Sequence, residues 1–492
     1  ANVAKAIFEV SPGSYIGGGI IVDSLTGNNQ LCMLGLGAQG QVLWKKKYGN
    51  GQLQYVHNAL ITRSFYKSGS HIYYAGCALD INNEYIGVLI KFNLSGDTIW
   101  QKIYRDTDPL EDVVPQMVNG SVDGGFLITG YFQNSGASPY SKCMLIKTDA
   151  NGNELWRKKV AKVAPNTQDG KTILQDSASK KIVIAGYQYI GSASWWTDYA
   201  NVLILDSLGV KLDQKNYTPG YGGLLLDLIQ TKDKKIVAVG LKRFPQNVGG
   251  DNLIKAFAVK FDLNAPVSPI WYLDYDQLEL TNIFSNIVEL PSGDLMLGGI
   301  IDTMWIHGFS YNNFVRLTKL NQNGAVIWNR YYDYKINPGT ANNDLSLRSL
   351  NLTSSGGLIG AVESMNSPGY NPLFFVKWDS TGCDSSIAYC LTQGTVSTVG
   401  SDKINRSGDS RVTIYPNPTN GIVTISLTGI LPGETISVSI TDISGREVKK
   451  LLIKSQEYQY ELNIGDLNNG AYIISVSTEK ELLYNGKLLK CD

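Results

Sequence analysis

Short runs of alternating apolar and polar residues recur along the first 390 residues of the chain. In most copies one run has a tryptophan at its centre, a turn with Gly or Asn four residues earlier and an aromatic residue four residues later, as in Gly96, Trp100 and Tyr104. The spacing of 56 to 58 residues predicts seven copies of one structural unit. The tryptophan position of the seven copies contains Trp44, Trp100, Trp156, Asp213, Trp271, Trp328 and Ser386, so Asp and Ser replace the tryptophan in two copies.

Two further apolar runs precede most of the tryptophan positions. The first ends in glycine, as in residues 128–130 (Ile-Thr-Gly), and the second ends in a polar residue, as in residues 88–91 (Val-Leu-Ile-Lys). With a leading strand, each unit contains four short strands, which is typical of a β-propeller blade. The sequence therefore predicts an all-β fold, with a seven-bladed β-propeller over residues 1–390. Because side chains four apart on a strand share a face, we expect each tryptophan and its following aromatic residue to pack between blades.

The pattern changes after the last repeat. Residues 391–410 are polar and aperiodic, which predicts a flexible linker. Residues 411–492 again contain short alternating runs separated by turn signals, as in residues 436–440 (Ile-Ser-Val-Ser-Ile). This pattern predicts a second, small β-sandwich domain.

Composition narrows the possible functions. The chain has 43 basic and 43 acidic side chains, so its charge does not favour a nucleic acid or an anionic membrane as a partner. It has no apolar run long enough to span a bilayer. It begins Ala1-Asn2-Val3, which is the expected start of a mature protein whose signal peptide has been removed. The few histidines and six cysteines have no metal-ligand spacing, so no metal and no cofactor is predicted.

Cys383 and Cys390 are close enough in sequence for a disulfide if the chain reaches an oxidising compartment. Cys32, Cys77 and Cys143 lie in apolar runs, where buried free thiols are expected.

Four ordered motifs in the last 80 residues resemble a known family. They are residues 414–421 (Ile-Tyr-Pro-Asn-Pro-Thr-Asn-Gly), 442–446 (Asp-Ile-Ser-Gly-Arg), 467–472 and 487–490 (Lys-Leu-Leu-Lys). Together they resemble the type A C-terminal sorting domain of the Bacteroidetes type IX secretion system. The resemblance implies an immunoglobulin-like sandwich, export through the type IX translocon, capture by an outer-membrane shuttle barrel, and a cell-surface or secreted location. Secreted proteins of this phylum often carry O-glycans at Asp-Ser/Thr-apolar triplets, so the resemblance also implies O-glycans at triplets such as residues 97–99.

The motif residues are the candidates for recognition by the export machinery. Pro416 and Pro418 remove backbone donors, and for Pro416, Asn417, Pro418 and Gly421 a role in the fold is favoured over direct contact with a partner. The final strand, with its basic end, is suited to adding to a partner sheet or entering a groove. The predicted recognition residues are Tyr415, Pro416, Asn417, Pro418, Gly421, Gly445, Arg446, Gly470, Tyr472, Lys487, Leu488, Leu489 and Lys490.

Aromatic residues in the long loops of one propeller face are the candidates for ligand binding. Such rings suit stacking on sugars or packing against a protein, although long loops also bury their own aromatic residues. The predicted ligand face comprises Trp195, Trp196, Tyr199, Trp305, His307, Tyr311 and Tyr370. The sequence thus favours an exported binding or scaffold protein with a glycan or protein ligand.

Two alternatives remain open. A polysaccharide-active enzyme could use the densest carboxylate group, Asp106, Asp108, Glu111 and Asp112, although no catalytic signature accompanies it and no catalytic residue is predicted. The second alternative is a surface adhesin linked to gliding movement. The sequence features that predict binding are the same for an adhesin and for a protein that captures nutrients.

Overall fold

A computed structural model describes most of the chain. The described residues are 2–23, 26–49, 53–56, 63–108, 111–134, 141–160, 167–189, 198–217, 222–244, 253–265, 268–274, 282–304, 311–332, 334, 345–364, 373–383, 412–415, 419–427, 435–442, 446–454, 459–478 and 482–490. The chain divides into two compact units, Ala1–Thr395 and Val396–Asp492. The predicted linker, residues 391–410, lies outside the described residues.

Between residues 3 and 378 the described residues form seven antiparallel sheets, numbered here in chain order. Sheet 1 contains β1 (Val3–Ser11), β2 (Ser14–Val22), β3 (Asn29–Leu36) and β4 (Val42–Tyr48). Sheet 2 contains β5 (Gln54–Tyr55), β6 (Phe65–Ser68), β7 (His71–Leu79), β8 (Tyr85–Asn93) and β9 (Thr98–Tyr104). Sheet 3 contains β10 (Glu111–Gly120), β11 (Phe126–Asn134), β12 (Ser141–Thr148) and β13 (Glu154–Val160).

The remaining four sheets repeat this order. Sheet 4 contains β14 (Thr167–Gln175), β15 (Ile182–Tyr189), β16 (Asp198–Leu205) and β17 (Lys211–Asn216). Sheet 5 contains β18 (Gly222–Gln230), β19 (Ile236–Phe244), β20 (Leu253–Phe261) and β21 (Trp271–Asp274). Sheet 6 contains β22 (Asn282–Glu289), β23 (Leu295–Met304), β24 (Tyr311–Leu320) and β25 (Val326–Tyr332). Sheet 7 contains β26 (Leu345–Leu352), β27 (Leu358–Ser364) and β28 (Phe374–Trp378).

Each sheet packs face to face on the next one in chain order. Seven of the buried apolar clusters in the described residues each join two neighbouring sheets, and the last of these joins sheet 7 to sheet 1. The first strand of each sheet is innermost and the last is at the rim, where its side chains are mostly exposed or half-buried. This ring of radially stacked sheets is a β-propeller, so the predicted all-β propeller fold is confirmed.

Packing and side-chain contacts close the ring. In the described residues sheets 1 and 7 share no strand. Instead, the Asn351 Nδ2 donates to the Ile7 carbonyl at 2.9 Å, and Lys377 Nζ donates to the Tyr15 hydroxyl at 2.8 Å. Phe375 packs into the same boundary.

The recurrent glycine of the second strand has a steric cause. Six inner strands contain a β-bulge at the same place, where one residue is skipped in the pairing register. The bulge pushes an inner-strand carbonyl against the facing glycine, so that a Cβ there would lie only 1.8 to 2.2 Å from that oxygen. The glycines with this contact are Gly19, Gly130, Gly186, Gly240 and Gly299.

In the described residues, the recurrent tryptophan packs at the outer part of five of the boundaries between sheets. Trp100 of sheet 2 packs over Gly152, which lies in the turn before the rim strand of sheet 3, and Tyr104 donates its hydroxyl to the Gly152 carbonyl at 2.7 Å. The predicted packing between blades is therefore confirmed. The same tryptophan–glycine contact pairs Trp44 with Gly96, Trp156 with Gly209, Trp271 with Gly324 and Trp328 with Gly382. Where Asp213 replaces the tryptophan in sheet 4, the turn of sheet 5 has Ala265 instead of glycine.

The second unit contains two small antiparallel sheets around one core. One has β29 (Val412–Tyr415), β30 (Ile422–Leu427) and β33 (Gln459–Asn463), in that order. The other has the order β32 (Glu447–Lys454), β31 (Thr435–Asp442), β34 (Gly470–Thr478) and β35 (Leu482–Lys490). Alternate residues of β31, such as Ile436, Val438 and Ile440, point into the shared core. The predicted immunoglobulin-like sandwich is confirmed.

Candidate functional site

A cleft of about 540 Å³ lies at the propeller rim between sheets 1 and 2, and we call it the rim cleft. Its walls come from the end of β4, the connection to β5, the turn after β7 and the rim strand β9. Ile81 and Ile103 form part of its apolar wall and are 75% and 48% exposed. The sequence contains one signal of this cleft that our prediction missed. It is the aliphatic residue Ile81 within the otherwise polar turn Asp80–Asn83.

The polar wall of the rim cleft is held by an ion-paired arginine. Arg105 donates from Nη2 to Asp80 Oδ2 at 2.6 Å and from Nη1 to Glu84 Oε2 at 3.0 Å. The Asp80 Oδ1 accepts the backbone N–H groups of Asn82 and Glu84 at 2.8 and 3.0 Å. Desolvation raises the pKa of Asp80, but these hydrogen bonds outweigh it and hold that pKa below its ordinary value. The cleft therefore presents a fixed carboxylate and a fixed guanidinium beside aliphatic groups.

Arg63 connects distant sheets across the central channel. It precedes β6 of sheet 2, and its Nη2 donates to Asp227 Oδ2 of sheet 5 at 2.7 Å and to the Ile287 carbonyl of sheet 6 at 2.8 Å. Asp227 is fully buried and also accepts the backbone N–H groups of Leu228 and Ile287, both at 2.9 Å. Burial raises the pKa of Asp227 to about 6 in spite of these partners.

A second cavity, of about 280 Å³, lies beside Arg63, and we call it the channel cavity. Its walls come from the later parts of the inner strands β1, β6, β10 and β26, which belong to four consecutive sheets of the ring. The cavity thus lies toward the turns that join each inner strand to the second strand. These turns are at the opposite ends of the strands from the long loops that carry the predicted ligand face.

The predicted carboxylate group is largely neutralised. Asp106 pairs with Arg157 at 3.3 Å and with Lys159 at 2.9 Å, while Glu111 pairs with Lys159 at 2.6 Å and with Lys142. Desolvation raises the pKa of both carboxyls, but their hydrogen bonds and ion pairs dominate and both pKa values are lowered. Burial raises the pKa of Asp112. Asp106 and Glu111 are therefore held ionised, unlike the general acid of a glycosidase.

Most of the predicted ligand face lies outside the described residues. This applies to Trp195, Trp196, Trp305, His307 and Tyr370. Tyr199 is half-buried in β16, opposite Gln188, and the backbone of Tyr311 pairs with Met304 at the end of β23.

The cysteines occupy two kinds of environment. Cys32, Cys77 and Cys143 are buried free thiols, as predicted. Cys383 is disulfide-bonded, and its predicted partner Cys390 lies outside the described residues. Burial raises the pKa of the Cys32 thiol to about 11, so this thiol stays protonated and unreactive.

In the second unit, the first sequence motif fixes the end of the last strand. The Thr419 backbone N–H donates to the Leu489 carbonyl at 2.9 Å, and Thr419 forms a parallel bridge with Lys490. Gly421 adopts φ +140°, a backbone conformation that favours glycine, and its carbonyl accepts the Ile464 N–H at 2.6 Å. Pro416, Asn417 and Pro418 lie outside the described residues, and the side chain of Tyr415 is not described.

The other motifs divide into buried and exposed residues. Leu488 is fully buried, Tyr472 donates its hydroxyl to the Asn468 carbonyl at 2.8 Å, and the buried Lys490 donates to Asn469 Oδ1 at 3.3 Å. Gly470 pairs with Lys490 across the β34–β35 ladder. Arg446 is instead exposed, with 78% of its side chain accessible, and its Nε donates to Asp442 Oδ2 at 3.2 Å.

The last strand is also an edge strand. On one side β35 pairs with β34 along its length, and on the other the described residues pair with it only at the Thr419–Lys490 bridge. Leu489 and Lys487 belong to this edge, although the side chain of Lys487 is not described, and Gly445 lies outside the described residues. The backbone groups of this edge are therefore open to pairing with another strand.

Residues 413–490 match the family of secretion system C-terminal sorting domains. The match covers the four motifs and both sheets of the second unit, which we now call the sorting domain. The chain is thus cargo of the type IX secretion system, as the motifs predicted. The sorting domain directs its export to the cell surface or the medium and implies an interaction with the type IX machinery.

Solved structures similar to the chain share very little sequence with it. The Pyrococcus horikoshii acylaminoacyl peptidase has a TM-score of 0.41 and 8% identity over 77% of the chain, which spans only 51% of that protein. The β-propeller domain of the Trilobed protease from Pyrococcus furiosus has a TM-score of 0.36 and 7% identity, covering 76% of this chain and 95% of that one. A PL25 ulvan lyase has a TM-score of 0.44 and 8% identity, covering 77% and 91%. No curated protein sequence matches the chain.

Among the described residues, no group of three or more His, Cys, Asp or Glu side chains could hold a metal ion. None of the described segments is a helix with the length and apolar character needed to cross a membrane.

Proposed function

We propose that the protein is an exported binding module whose propeller binds a carbohydrate chain and whose sorting domain is the export signal. The rim cleft supports this proposal best. It combines a charged, hydrogen-bonding wall around Asp80 and Arg105 with an aliphatic wall that contains Ile81 and Ile103. Sugars have the same two-sided character, because their hydroxyl groups lie at the ring edge and their C–H groups form an apolar face.

The geometry of the cleft suits binding without extensive rearrangement. Arg105 is fixed by two carboxylates, and Asp80 is fixed by two backbone N–H groups, so little conformational entropy is lost when a hydroxyl group contacts them. Its volume of about 540 Å³ is within the range of small-molecule sites.

The neutralised carboxylates favour binding over catalysis. A glycosidase needs one carboxyl that stays protonated near neutral pH, and the lowered pKa values of Asp106 and Glu111 do not suit that role. The raised pKa of Asp112 supports the second candidate, a polysaccharide-active enzyme, to a smaller extent. Incubating the protein with any glycan that it binds, and analysing the products, separates the two functions.

The rim strand β9 offers a matched pair of variants to test the proposal. Ile103 lines the cleft and Ile99 does not, although they are 48% and 47% exposed on the same strand. On a glycan array and in titrations with its best hit, we expect Ile103→Ser to weaken binding about fivefold, a loss of ~1 kcal/mol of apolar contact. Ile99→Ser should bind like the unaltered protein. Equal effects of the two variants, or no glycan bound by the full chain, would overturn the proposal.

We infer further that the type IX translocon and an outer-membrane shuttle barrel contact the exposed parts of the sorting domain. The open edge of β35 and the exposed guanidinium of Arg446 are suited to direct contact. The buried Leu488, Tyr472 and Lys490 instead support the fold that presents these groups.

A further inference from the structure

We propose that the channel cavity is a second ligand site, for a small carboxylate attached to a ring with an apolar face, of which a hexuronate is the simplest case. This site is separate from the rim cleft and does not depend on the function proposed for it. The cavity is bounded by strands of four sheets, so it is part of the folded ring and does not need a loop to close over it.

The charge of the cavity favours an anion. Its lining contains two cationic side chains, Arg63 and Lys67, and no Asp or Glu. The charge of Arg63 is matched by Asp227 at 2.7 Å. Lys67 is half-buried and forms no ion pair with any residue that the structure describes. Its ammonium group is therefore the unbalanced charge of the cavity, and a carboxylate would neutralise it.

A buried hydroxyl provides the second polar contact. Ser349 lines the cavity, is only 4% exposed, and its Oγ has no hydrogen-bond partner among the described residues. A buried hydroxyl without a partner costs free energy, and a ligand oxygen would supply that partner. Because Ser349 follows the bulged Arg348 in β26, its position is fixed by the same backbone feature that recurs around the ring.

Aromatic residues line other parts of the cavity, together with Asn119 and Asn351. Phe8, Phe65 and Tyr66 line the cavity, and Tyr66 is held against Tyr73 with ring centroids 6.1 Å apart. A cavity lined by both aromatic and cationic residues suits a ligand with a flat apolar face and one acidic substituent. The cavity volume of about 280 Å³ limits the ligand to about the size of one sugar ring.

Calorimetric titration of the full chain with D-galacturonate tests the site, with D-galactose and inorganic phosphate as comparison ligands. We expect galacturonate to bind, and galactose and phosphate to bind about tenfold more weakly, because each lacks either the charge or the ring. Lys67→Gln should weaken galacturonate binding about tenfold without changing galactose binding. Lys67→Arg should restore it in part.

Two controls separate a local effect from a folding defect. Lys45→Gln removes an exposed lysine of β4 outside the cavity and should leave galacturonate binding unchanged. Ser349→Ala removes the buried hydroxyl and should weaken galacturonate binding while the thermal unfolding midpoint is kept.

The proposal would be overturned if galactose or phosphate bound as tightly as galacturonate. It would also be overturned if neither Lys67→Gln nor Ser349→Ala changed galacturonate binding. The absence of galacturonate binding to the unaltered chain would overturn it as well. Ile103→Ser should not affect this titration, so failure here is distinguishable from failure at the rim cleft.

Discussion

The propeller and the sorting domain bury their residues in different ways. In the described residues, the propeller has one buried apolar cluster at each of seven boundaries between sheets and a further small one around Leu224. Its inner strands also bury charged groups such as Asp227 and Arg348. The sorting domain has a single core cluster, in which 13 buried residues from both sheets meet. The first arrangement spreads stability over many similar boundaries, whereas the second makes the small domain depend on one core.

Buried charges are tolerated in the propeller because oppositely charged partners lie on the same strand or on a neighbouring one. Arg348 pairs with Glu363 at 2.5 Å, and Lys171 pairs with Asp169 at 2.7 Å. Burial and the nearby Arg348 lower the pKa of Lys5 to about 7, although Glu363 opposes this effect. A domain with one small core has fewer neighbouring strands to supply such partners. The two units therefore differ in the kind of residue each can bury, and each should fold without the other.

Deleting residues 411–492 tests this independence and has the largest expected effect. We expect the protein to disappear from the cell surface and the medium, because the export signal is lost. The purified propeller should unfold at the same temperature as in the full chain, because each of its buried apolar clusters, as far as the structure describes them, is formed within residues 1–395. Immunoblots of cell fractions and thermal unfolding measure the two effects.

A point variant serves as the control for the deletion. Leu488→Asp places a charge in the single core of the sorting domain and should abolish export as the deletion does. Arg446→Ala leaves that core intact, so reduced export with an unchanged unfolding midpoint would indicate direct recognition. Undiminished export of the deleted chain would contradict the assignment of the signal.

Much of this architecture was predictable from the sequence because the repeated residues have repeated physical causes. Trp100 and Gly152 recur because one packs on the other, and Gly130 recurs because the bulge leaves no room for a Cβ. At the boundary between sheets 4 and 5 both partners are replaced together, by Asp213 and Ala265, whereas the turn of sheet 1 keeps Gly40 although the last repeat has Ser386 in the tryptophan position.

The candidate sites were less predictable, because they depend on residues that do not repeat. Arg63 contacts Asp227, 164 residues later, across the ring, and no local pattern indicates such a contact. Ile81 and Ile103 form a cleft only because the turn of one strand lies beside the rim strand of the same sheet. Burial of the predicted recognition residue Leu488 also depends on tertiary packing between its own sheet and the sheet formed by β29, β30 and β33.

The tryptophan–glycine contact can be separated from the requirements of the turn itself. Gly152 and Gly40 occupy corresponding turns with φ of +75° and +77°, but a Cβ at Gly152 would lie 2.7 Å from Trp100, whereas a Cβ at Gly40 would meet nothing within 4 Å. Gly40→Ala should cost about 1 kcal/mol from the backbone conformation alone. Gly152→Ala should cost a further ~1–3 kcal/mol as Trp100 is displaced. Urea unfolding measures both values, and equal losses would show that the contact contributes nothing to the boundary.

The smallest expected effect concerns a hydrogen-bonded carboxylate at the boundary between sheets 4 and 5. Asp176 Oδ2 accepts the Ser179 N–H at 2.6 Å, and Oδ1 accepts Gln230 Nε2 of the next sheet at 2.6 Å. Desolvation raises the pKa of Asp176, but these bonds outweigh it and lower the pKa to about 2. Because an unfolded Asp titrates near pH ~3.9, the carboxylate contributes up to about 2 kcal/mol above that pH, and the contribution is lost as pH falls toward 2.

Asp176→Asn should therefore reduce the free energy of unfolding by ~1–2 kcal/mol at pH 7, since the amide oxygen retains part of the hydrogen bonding. The difference from the unaltered protein should shrink between pH 4 and pH 2.5, because protonation removes the same carboxylate from the unaltered chain. Asp123→Asn, in the corresponding turn of sheet 3 with a side chain 57% exposed, should show a weaker dependence. A difference for Asp176→Asn that stays constant from pH 7 to pH 2.5 would mean that the carboxylate charge does not stabilise this boundary.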